Sequence, residues 1–195
     1  MIRLLDILFS LIGIIILLPI FIILYLAIRI ESKGGGLYKQ QRVGRNGKDF
    51  YVYKFRSMRT DADKSGLLTV GGRDPRITRI GYFIRKYKLD ELPQLFNVLF
   101  GDMSLVGPRP EVRRYVDLYT EDQMKVLSVR PGITDYASIE YMDENIILGK
   151  AEDPDKAYIE EIMPDKIKYN MKYINNRSVI EYFKVIFLTL KGIVR

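Results

Sequence analysis

Residues 7–28 read ILFSLIGIIILLPIFIILYLAI and contain no charged side chain. A helix of this length would extend roughly 33 Å, which is enough to cross the hydrocarbon core of a bilayer. A secretory signal peptide fits poorly, because the apolar run is too long, Arg3 is the one basic side chain before it, and no small-residue cleavage site follows. The stretch therefore predicts a membrane anchor over residues 1–33.

Pro19 lies in the middle of this stretch. Proline removes one backbone donor and clashes with the preceding turn, which predicts a kink. A kinked segment either spans the membrane at a tilt or bends and re-enters the same leaflet, and the residues alone leave both topologies open. Basic residues after the segment predict that the rest of the chain lies on the cytoplasmic side in either case. They are Arg29, Lys33, Lys39, Arg42 and Arg45.

The remaining residues, 34–195, have the size of one ordinary domain, which can bury a core without cross-links. The chain has no cysteine and no histidine. Their absence excludes disulfides, Ser-His-Asp and Cys-His nucleophiles, phosphohistidine and Cys/His zinc sites. Catalysis would have to use carboxylate, hydroxyl, Lys, Arg or a metal ion bound by oxygen. The net charge of +7 suits an anionic membrane surface or phosphate ligands, and ordinary solubilising charge remains the alternative.

The periodicity after a Gly-rich break at residues 34–36 predicts a hairpin followed by helices. Residues 37–43 and 50–55 have the pattern of two strands, and the Asn46-Gly47 pair between them is a strong turn signal. Residues 61–76 are polar and predict a loop, either a mobile connector or a lid. The spacing of apolar residues predicts helices over 77–88, 89–99, 111–129, 155–176 and 178–194, with an irregular piece or strand to residue 141.

An acidic pair, Asp90-Glu91, lies within a strongly basic part of the sequence. We expect the pair in the first turn of the helix at 89–99, just before Pro93, where exposed backbone N–H groups favour phosphate. Adjacent carboxylates near arginines most often form surface ion pairs or helix caps, so the residue types alone leave a structural role open. The basic neighbours are Arg73, Arg76, Arg79, Arg85, Lys86, Lys88 and Arg109.

A functional role for the pair is chemically coherent. A carboxylate is already an anion at neutral pH, so it needs no histidine to become a nucleophile. Attack on phosphorus would give an acyl phosphate. The approach of an anion to a charged diphosphate requires a divalent cation and arginines. Asp90 as nucleophile and Glu91 as metal ligand would satisfy these requirements.

Five motifs read YKFRSM at 53–58, DPRIT at 74–78, LDELPQL at 89–95, GDMSLVGPRP at 101–110 and RPGIT at 130–134. In this order they resemble the motifs of the bacterial sugar transferase family, whose small members are monotopic phosphoglycosyl transferases. The resemblance covers essentially the whole chain, including the hydrophobic segment.

The resemblance implies a mechanism and a set of site residues. Asp90 would attack the sugar-linked phosphate of a UDP-sugar, release UMP and form a covalent phosphosugar-enzyme, which polyprenyl (undecaprenyl) phosphate then resolves. Mg2+ would be required, held by Glu91 together with Asp90. Basic phosphate-binding positions of the family fall on Lys54, Arg85 and Arg109, of which Lys54 is indicated by the resemblance alone.

The resemblance also implies the architecture. We expect an irregular, helix-rich α/β fold with a small sheet or hairpin, on an N-terminal re-entrant membrane helix bent at Pro19. Residues 34–195 would form a cytoplasmic catalytic domain with C-terminal amphipathic interfacial helices, at the cytoplasmic face of the bacterial inner membrane. Leu18 stands before Pro19, where a well-known relative has serine, so the bend would be held differently here.

The expected partners are a UDP-sugar, polyprenyl phosphate and membrane lipid, without nucleic acid, and a homodimer remains open. Many relatives read Gly-Trp-Ala-Gln after the last motif, whereas residues 135–141 read DYASIEY, a difference that bears on the sugar recognised. Two other hypotheses remain: a basic membrane-tethered anion-binding module without catalysis, and a single-pass scaffold. A carboxylate pair inside a basic cluster argues against the binding module, because it would repel phosphate unless a metal intervened.

Overall fold

A long N-terminal helix, α1 (Ile2–Glu31), is the first element of the computed structural model, which describes residues 1–60, 62, 68–71 and 74–193. Its 30 residues correspond to about 45 Å of helix. Among the described residues it is the one helix long and apolar enough to cross a membrane by length and composition. Pro19 lies inside α1, and the helix continues on both sides of it.

One face of α1 packs along the rest of the protein. The buried residues Asp6, Ser10, Leu24 and Ile28 recur at helical spacing and define this face. The other side of the helix is exposed and apolar. A wide apolar surface of this kind is unusual for a soluble protein and suits contact with lipid. Its most exposed members are Leu4, Ile15, Ile16, Ile23 and Ile30.

Both ends of α1 are held by the domain. At its start, the Arg3 guanidinium donates to the backbone oxygens of Val98 and Leu99, at 2.6 and 3.0 Å. At its end, the Glu31 carboxylate accepts from the backbone N–H groups of Arg79 and Ile80, at 2.7 and 3.0 Å. The two ends of the apolar helix therefore lie against the same body of protein.

The predicted hairpin is confirmed. Strand β1 (Leu37–Val43) pairs with antiparallel β2 (Asp49–Phe55), from Leu37 opposite Phe55 to Val43 opposite Asp49. In the turn, Asn46 and Gly47 adopt left-handed conformations with φ of 58° and 73°. Asparagine and glycine tolerate this region best, which explains why the pair was a reliable signal. Strand β2 begins one residue earlier than predicted.

The region after the hairpin corrects the sequence prediction. The helix predicted at 77–88 is shorter, because the Thr78 side chain accepts from the Gly81 N–H and caps it. The single helix predicted at 89–99 is wrong, because Pro93 has no N–H to donate and separates a 3-10 turn from a later helix. Asp90 and Glu91 lie in that turn, not at the start of a long helix. The elements are α2 (Arg79–Lys86), the 3-10 turn Leu89–Glu91, α3 (Gln94–Phe100) and β3 (Ser104–Val106).

The helix predicted at 111–129 is also wrong. It is divided into α4 (Arg113–Val116), α5 (Glu121–Met124) and a 3-10 turn, Lys125–Ser128. The division has a local cause: Thr120 forms a capping box with Gln123, which starts a new helix at Glu121. Strand β4 (Gly132–Thr134) then pairs in parallel with β3.

The segment that ends at residue 141 was predicted to be irregular or a strand, but it forms a short helix. The Asp135 side chain accepts from the Ser138 N–H and caps this helix. The helical prediction at 155–176 holds with an interruption: a π-helical turn, Tyr158–Ile162, precedes Pro164 in the first turn of the next helix. The last elements are α6 (Tyr136–Glu140), α7 (Glu144–Leu148), α8 (Pro154–Ala157), α9 (Met163–Asn175) and α10 (Val179–Ile193).

The described residues thus form a helix-rich fold with a small hairpin sheet, as predicted, and with a second two-stranded sheet, β3–β4, that was not predicted. Its apolar core consists of several clusters instead of one. The cluster that matters most for the site joins Leu24 and Ile28 of α1 to Phe55 and Ile84, with Leu89 and Leu92 packed against it. The turn that carries Asp90 therefore packs against a cluster to which the apolar helix contributes.

Candidate active site

The turn Leu89–Glu91 is fixed by the packing of Leu89 and by the backbone conformation of the residue before it. Leu89 packs towards α1, and the preceding residue, Lys88, has a left-handed backbone with φ of 55°. Such a conformation is uncommon for lysine and is found where the surrounding structure imposes it, often at functional sites. Asp90, at the centre of the turn, is buried but lines a cavity.

Glu91 is held by two cations. Its two carboxylate oxygens accept hydrogen bonds from the two terminal nitrogens of Arg109, one of them at 3.0 Å, and the Lys54 ammonium lies 3.8 Å from one oxygen. Burial alone would raise the pKa of Glu91, but Arg109 and then Lys54 outweigh it and hold the pKa well below its usual range. The Glu91 charge in turn raises the pKa of Arg109. The pair is therefore ionised throughout the physiological pH range.

Asp90 has a different environment from its neighbour. Among the described residues, none donates a hydrogen bond to its carboxylate. Burial, followed by the negative charge of Glu91, raises the pKa of Asp90, while Lys54, Arg85 and Arg109 oppose the increase. Asp90 is therefore a buried carboxylate that accepts no hydrogen bond from the described residues and lies close to three cations. Buried groups of this kind are often found at reactive sites.

The side-chain amide of Asn97 fixes the strand that carries Lys54. The Asn97 side chain accepts from the Tyr53 N–H at 2.9 Å and donates to the Tyr51 oxygen at 2.7 Å, which fixes β2 against α3. Lys54 follows directly in β2, with its side chain 19% exposed. Burial lowers the pKa of Lys54 to about 8, against the opposing effect of Glu91. Lysine at this position can therefore change charge near neutral pH.

Arg85 lines the cavity from α2 and donates to the Thr69 hydroxyl at 3.2 Å. The structure thus brings together all five predicted site residues. Of the basic neighbours, Arg76 and Lys88 also line the cavity, whereas Arg79 and Lys86 do not, and Arg73 lies outside the described residues. Arg76 pairs with Asp74, with a nitrogen–oxygen distance of 2.6 Å. The predicted loop at 61–76, with its lid hypothesis, falls partly outside the described residues too.

The cavity has a volume of about 660 Å³. Pockets for small-molecule substrates commonly have this size. Its walls come from the hairpin, α2, the Asp90 turn and the segment around Arg109, and further along the chain from α4, α6, α7, the π-helical turn and α9. One chamber therefore connects the predicted phosphate-binding residues with the C-terminal half of the chain.

A second polar network in the cavity wall was missed by sequence reasoning. Lys166 of α9 contacts Glu144 and Glu111 at 2.9 and 3.9 Å, the Tyr158 hydroxyl donates to Glu111, and Arg42 lies 3.6 Å from Glu111. These residues are scattered over most of the chain and form no local motif. Only tertiary packing brings them together, so no signal in the sequence could have indicated the cluster.

The acidic residues suit a Mg2+ ion shared with a substrate. The described residues contain no group of three acidic side chains that could hold a metal alone. Mg2+ commonly binds one or two carboxylates and completes its shell with water and phosphate oxygens. Asp90 accepts no hydrogen bond from described residues, and Glu91 has further lone pairs besides those directed at Arg109. The neighbouring carboxylates therefore fit the ion.

Comparisons with known proteins identify the family of the chain. The sequence model of the family described as "Bacterial sugar transferase" matches residues 1–195. The chain is 39% identical over 191 residues to the UDP-N-acetylgalactosamine-undecaprenyl-phosphate N-acetylgalactosaminephosphotransferase of Aeromonas hydrophila, which covers 96% of this chain and 42% of that protein. It is 35% identical over 193 residues to the UDP-glucose:undecaprenyl-phosphate glucose-1-phosphate transferase of Escherichia coli (strain K12), covering 97% and 39%.

A third relative has a similar length to this chain. The exopolysaccharide production protein PSS of Rhizobium leguminosarum bv. phaseoli is 38% identical over 196 residues, covering 96% of this chain and 92% of that protein. The chain spans only about two fifths of the Aeromonas and Escherichia proteins, so it corresponds to one part of them. On the match over all of its residues and these identities, the chain belongs to the bacterial sugar transferase family.

Proposed function

We propose that this protein transfers a sugar phosphate from a UDP-sugar to polyprenyl phosphate, as the first membrane step of glycoconjugate or exopolysaccharide assembly. The observation that carries the proposal is the Asp90 carboxylate. It is buried, accepts no hydrogen bond from the described residues, and lies in a cavity beside Lys54, Arg85 and Arg109. The names of the relatives supply the substrate classes.

In the first step, a carboxylate oxygen of Asp90 attacks the phosphorus atom bonded to the sugar. A new oxygen–phosphorus bond forms, and the bond from that phosphorus to the bridging oxygen of the diphosphate breaks. UMP leaves with the bridging oxygen and its electron pair. The enzyme then carries the sugar phosphate as an acyl phosphate, which is a known intermediate type for aspartate nucleophiles.

In the second step, a phosphate oxygen of polyprenyl phosphate attacks the same phosphorus atom. The acyl phosphate bond breaks, and the electron pair returns to the Asp90 carboxylate. The product is a polyprenyl diphosphate sugar, and the enzyme is restored without loss or gain of a proton. Two substitutions at phosphorus therefore use one nucleophile and need no histidine.

The surrounding residues have electrostatic roles. Arg109 and Lys54 place positive charge beside the attacking carboxylate, and Arg85 adds a third cation at the cavity wall. Fixed charges of this kind stabilise a phosphoryl-transfer transition state without reorganising at the moment of reaction. Glu91 accepts hydrogen bonds from Arg109 with both of its oxygens, so it orients the Arg109 guanidinium towards the substrate. Mg2+, held by Glu91 and Asp90, would supply further neutralisation of the diphosphate.

The polyprenyl acceptor requires the site to lie near the membrane, and the packing of α1 supports this arrangement. We propose that α1 is re-entrant: it enters and leaves the cytoplasmic face of the bacterial inner membrane, because both of its ends bind the same domain. Its exposed apolar side continues onto α10, where Phe9 contacts Phe183 edge to face at 5.9 Å and Phe187 is exposed. The C-terminal helix would then lie in the interface.

Turnover by the purified protein tests the proposal. The protein is incubated in lipid nanodiscs with Mg2+, polyprenyl phosphate and each of a panel of UDP-sugars, and released UMP is measured. We expect UMP release with at least one donor, dependent on the acceptor, abolished in Asp90→Asn and retained in Asp122→Asn. Asp122 is a matched control because its carboxylate is exposed and its ion-pair partner among the described residues is Lys125. Folded protein that releases no UMP with any donor would favour an anion-binding module instead.

A further inference from the structure

Lys88 has a backbone conformation that lysine does not favour. Its φ and ψ of 55° and 21° lie in the left-handed region, and Asn46 is the one other non-glycine residue of the described chain with a positive φ. Asparagine and glycine tolerate this region, whereas lysine adopts it at a cost in free energy. A strained residue beside a candidate active site is in turn a candidate for a function of its side chain.

The Lys88 side chain supplies a positive charge at the mouth of the cavity. It lines the cavity and is also exposed, as is Arg59. The described residues offer neither of these cations an ion-pair partner. Each of the other cations described in the cavity wall contacts a carboxylate, a hydroxyl or a carbonyl group of the protein. Lys88 and Arg59 are therefore available to an anionic ligand that enters from outside.

Of these two cations, Lys88 is the one joined to the turn that carries Asp90. It precedes Asp90 by two residues, and its backbone oxygen accepts from the Glu91 N–H at 3.3 Å. Burial raises the pKa of Glu91, and the charges that lower it are those of Arg109, Lys54 and, more weakly, Lys88. The lysine ammonium stands on a flexible stem, so it can follow a phosphate as that phosphate moves. Lys88 therefore places a mobile positive charge close to the reacting carboxylate.

The mouth of the cavity adjoins the end of α1. Gly35 and Leu37 follow this helix closely, and both are exposed and line the cavity. The Glu31 carboxylate, at the end of α1, accepts from the first N–H groups of α2, and Ile84 of α2 packs in one cluster with Ile28 of α1. Because α2 leads directly to Lys88, a substrate carried by the membrane reaches this lysine from the end of the apolar helix.

Two exposed aromatic rings lie on the helix that precedes Lys88. Phe83 and Tyr87 are 53% and 45% exposed, and their ring centroids are 5.1 Å apart. Their spacing along the chain places them on one face of the last turn of α2. Exposed aromatic side chains are typical of the boundary between membrane and water. This part of α2 therefore suits a position at the level of the lipid headgroups, where the phosphate of a polyprenyl acceptor lies.

We propose that Lys88 binds the phosphate of the polyprenyl phosphate acceptor at the mouth of the cavity and directs it to the phosphorus atom carried by Asp90. The inference rests on the proposed function. The acceptor phosphate must approach a second anion, the phosphosugar, and a cation beside both lowers their repulsion. The diphosphate of the donor has less need of Lys88, because it is matched by the less exposed cations Lys54, Arg85 and Arg109.

The two half-reactions test donor and acceptor separately. The full-length protein, in mixed micelles of detergent and phosphatidylcholine with Mg2+, first forms the labelled phosphosugar-enzyme from a UDP-sugar. Polyprenyl phosphate is then added in increasing amounts, and the loss of label from the protein is timed. Phosphatidylcholine has no net charge, so the acceptor is the one anionic lipid present and its phosphate is distinguished from ordinary lipid headgroups.

The variants separate charge from backbone conformation. Lys88→Asn and Lys88→Gly remove the charge with residues that tolerate the left-handed region, and Lys88→Arg keeps the charge. Lys86→Gln is the matched control, because Lys86 is exposed on α2, does not line the cavity and loses the same charge. Thermal melting checks that each variant is folded.

Lys88→Asn and Lys88→Gly should form the labelled enzyme at a rate within about twofold of wild type, whereas transfer at low acceptor should slow by about tenfold or more, because a charged contact to phosphate is lost. Lys88→Arg should transfer within about threefold of wild type, and Lys86→Gln should leave both steps unchanged. Equal slowing of both steps would assign Lys88 to the donor, and unchanged transfer would make it a solvated turn residue. Either result would overturn the proposal, as would an equal loss in Lys86→Gln. Failure of the proposed function itself would appear separately, as wild-type protein that forms no labelled intermediate and releases no UMP.

Discussion

Two buried aspartates of this protein, Asp6 and Asp90, are 2% and 6% exposed and have opposite surroundings. Asp6 of α1 accepts hydrogen bonds from the Ser104 hydroxyl, the Leu105 N–H and the Tyr182 hydroxyl, at 2.9, 2.9 and 3.0 Å. Asp90 accepts none from the described residues and lies instead beside cations that line a cavity.

Under the proposed function, the difference separates a structural carboxylate from a reactive one. Three donors bind the Oδ1 atom of Asp6, so its charge is stabilised by the fold. The lone pairs of Asp90 remain available, and its charge is balanced by side chains that can also bind phosphate. Burial and charge alone would not distinguish the two residues, whereas the hydrogen-bond partners do.

The largest expected effect comes from replacing the reactive carboxylate. Asp90→Asn should lower turnover by at least about a thousandfold, because an amide is not a nucleophile. Its stability should equal or exceed that of wild type, since a buried charge with a raised pKa is removed. UMP release and urea denaturation measure the two quantities. Lost stability with unchanged turnover would make Asp90 a second structural aspartate.

Arg109→Met should lower both turnover and stability. The substitution leaves Glu91 with Lys54, at 3.8 Å, as its ion-pair partner among the described residues, and removes charge from the phosphate site. We expect turnover to fall by about a hundredfold or more and stability to fall by about 2–3 kcal/mol. The double variant Arg109→Met/Glu91→Gln should recover most of the stability but none of the turnover. Recovery of turnover would contradict the role of Arg109 at the substrate.

Asp6→Ala should lower stability and leave turnover nearly unchanged, which is the reverse of the effect expected for Asp90→Asn. Removal of the carboxylate leaves buried donors on Ser104, Leu105 and Tyr182 without partners, so we expect a loss of about 2–4 kcal/mol in unfolding free energy. Asp6→Asn keeps one acceptor and should lose less. Turnover per folded molecule should remain within about threefold of wild type. A loss as large as that of Asp90→Asn would mean that the α1 contact takes part in catalysis.

The smallest expected effect is a change in pH dependence. Lys54 is charged below its pKa of about 8 and neutral above it, so kcat/KM should fall as pH rises through that value. Activity should also fall at low pH, because the Asp90 carboxylate becomes protonated. Since the pKa of Asp90 is raised, this fall should occur at a higher pH than the usual pKa of an aspartate. Lys54→Arg should retain activity and move the alkaline limb upward, since arginine stays charged. An unchanged alkaline limb would exclude Lys54 as its origin.

Much of the site and less of the fold could be predicted from sequence. The apolar N-terminal helix and the hairpin rest on local patterns, a long apolar run and an Asn-Gly turn, and local patterns survive folding. Asp90, Glu91, Arg85 and Arg109 were indicated by a carboxylate pair within a basic cluster, and Lys54 by resemblance alone. The structure places all five at one cavity.

The errors also have physical reasons. Apolar periodicity continues across residues 89–99 and 111–129, but Pro93 and the Thr120 cap end the helices that it predicts. The Lys166 network and the Asp6 contacts join residues far apart in the chain, the latter 98 to 176 positions apart. Such contacts depend on tertiary packing and leave no local pattern.

The most direct test of the central claim is to trap the covalent intermediate on Asp90. Purified protein with Mg2+ and no acceptor is incubated with UDP-sugars carrying radioactive phosphate next to the sugar, quenched, and assayed for bound label. The account predicts label on wild type and Asp6→Asn, released as lipid product when polyprenyl phosphate is added, and none on Asp90→Asn. Label on Asp90→Asn, or no label on wild-type protein that releases UMP once acceptor is present, would contradict it.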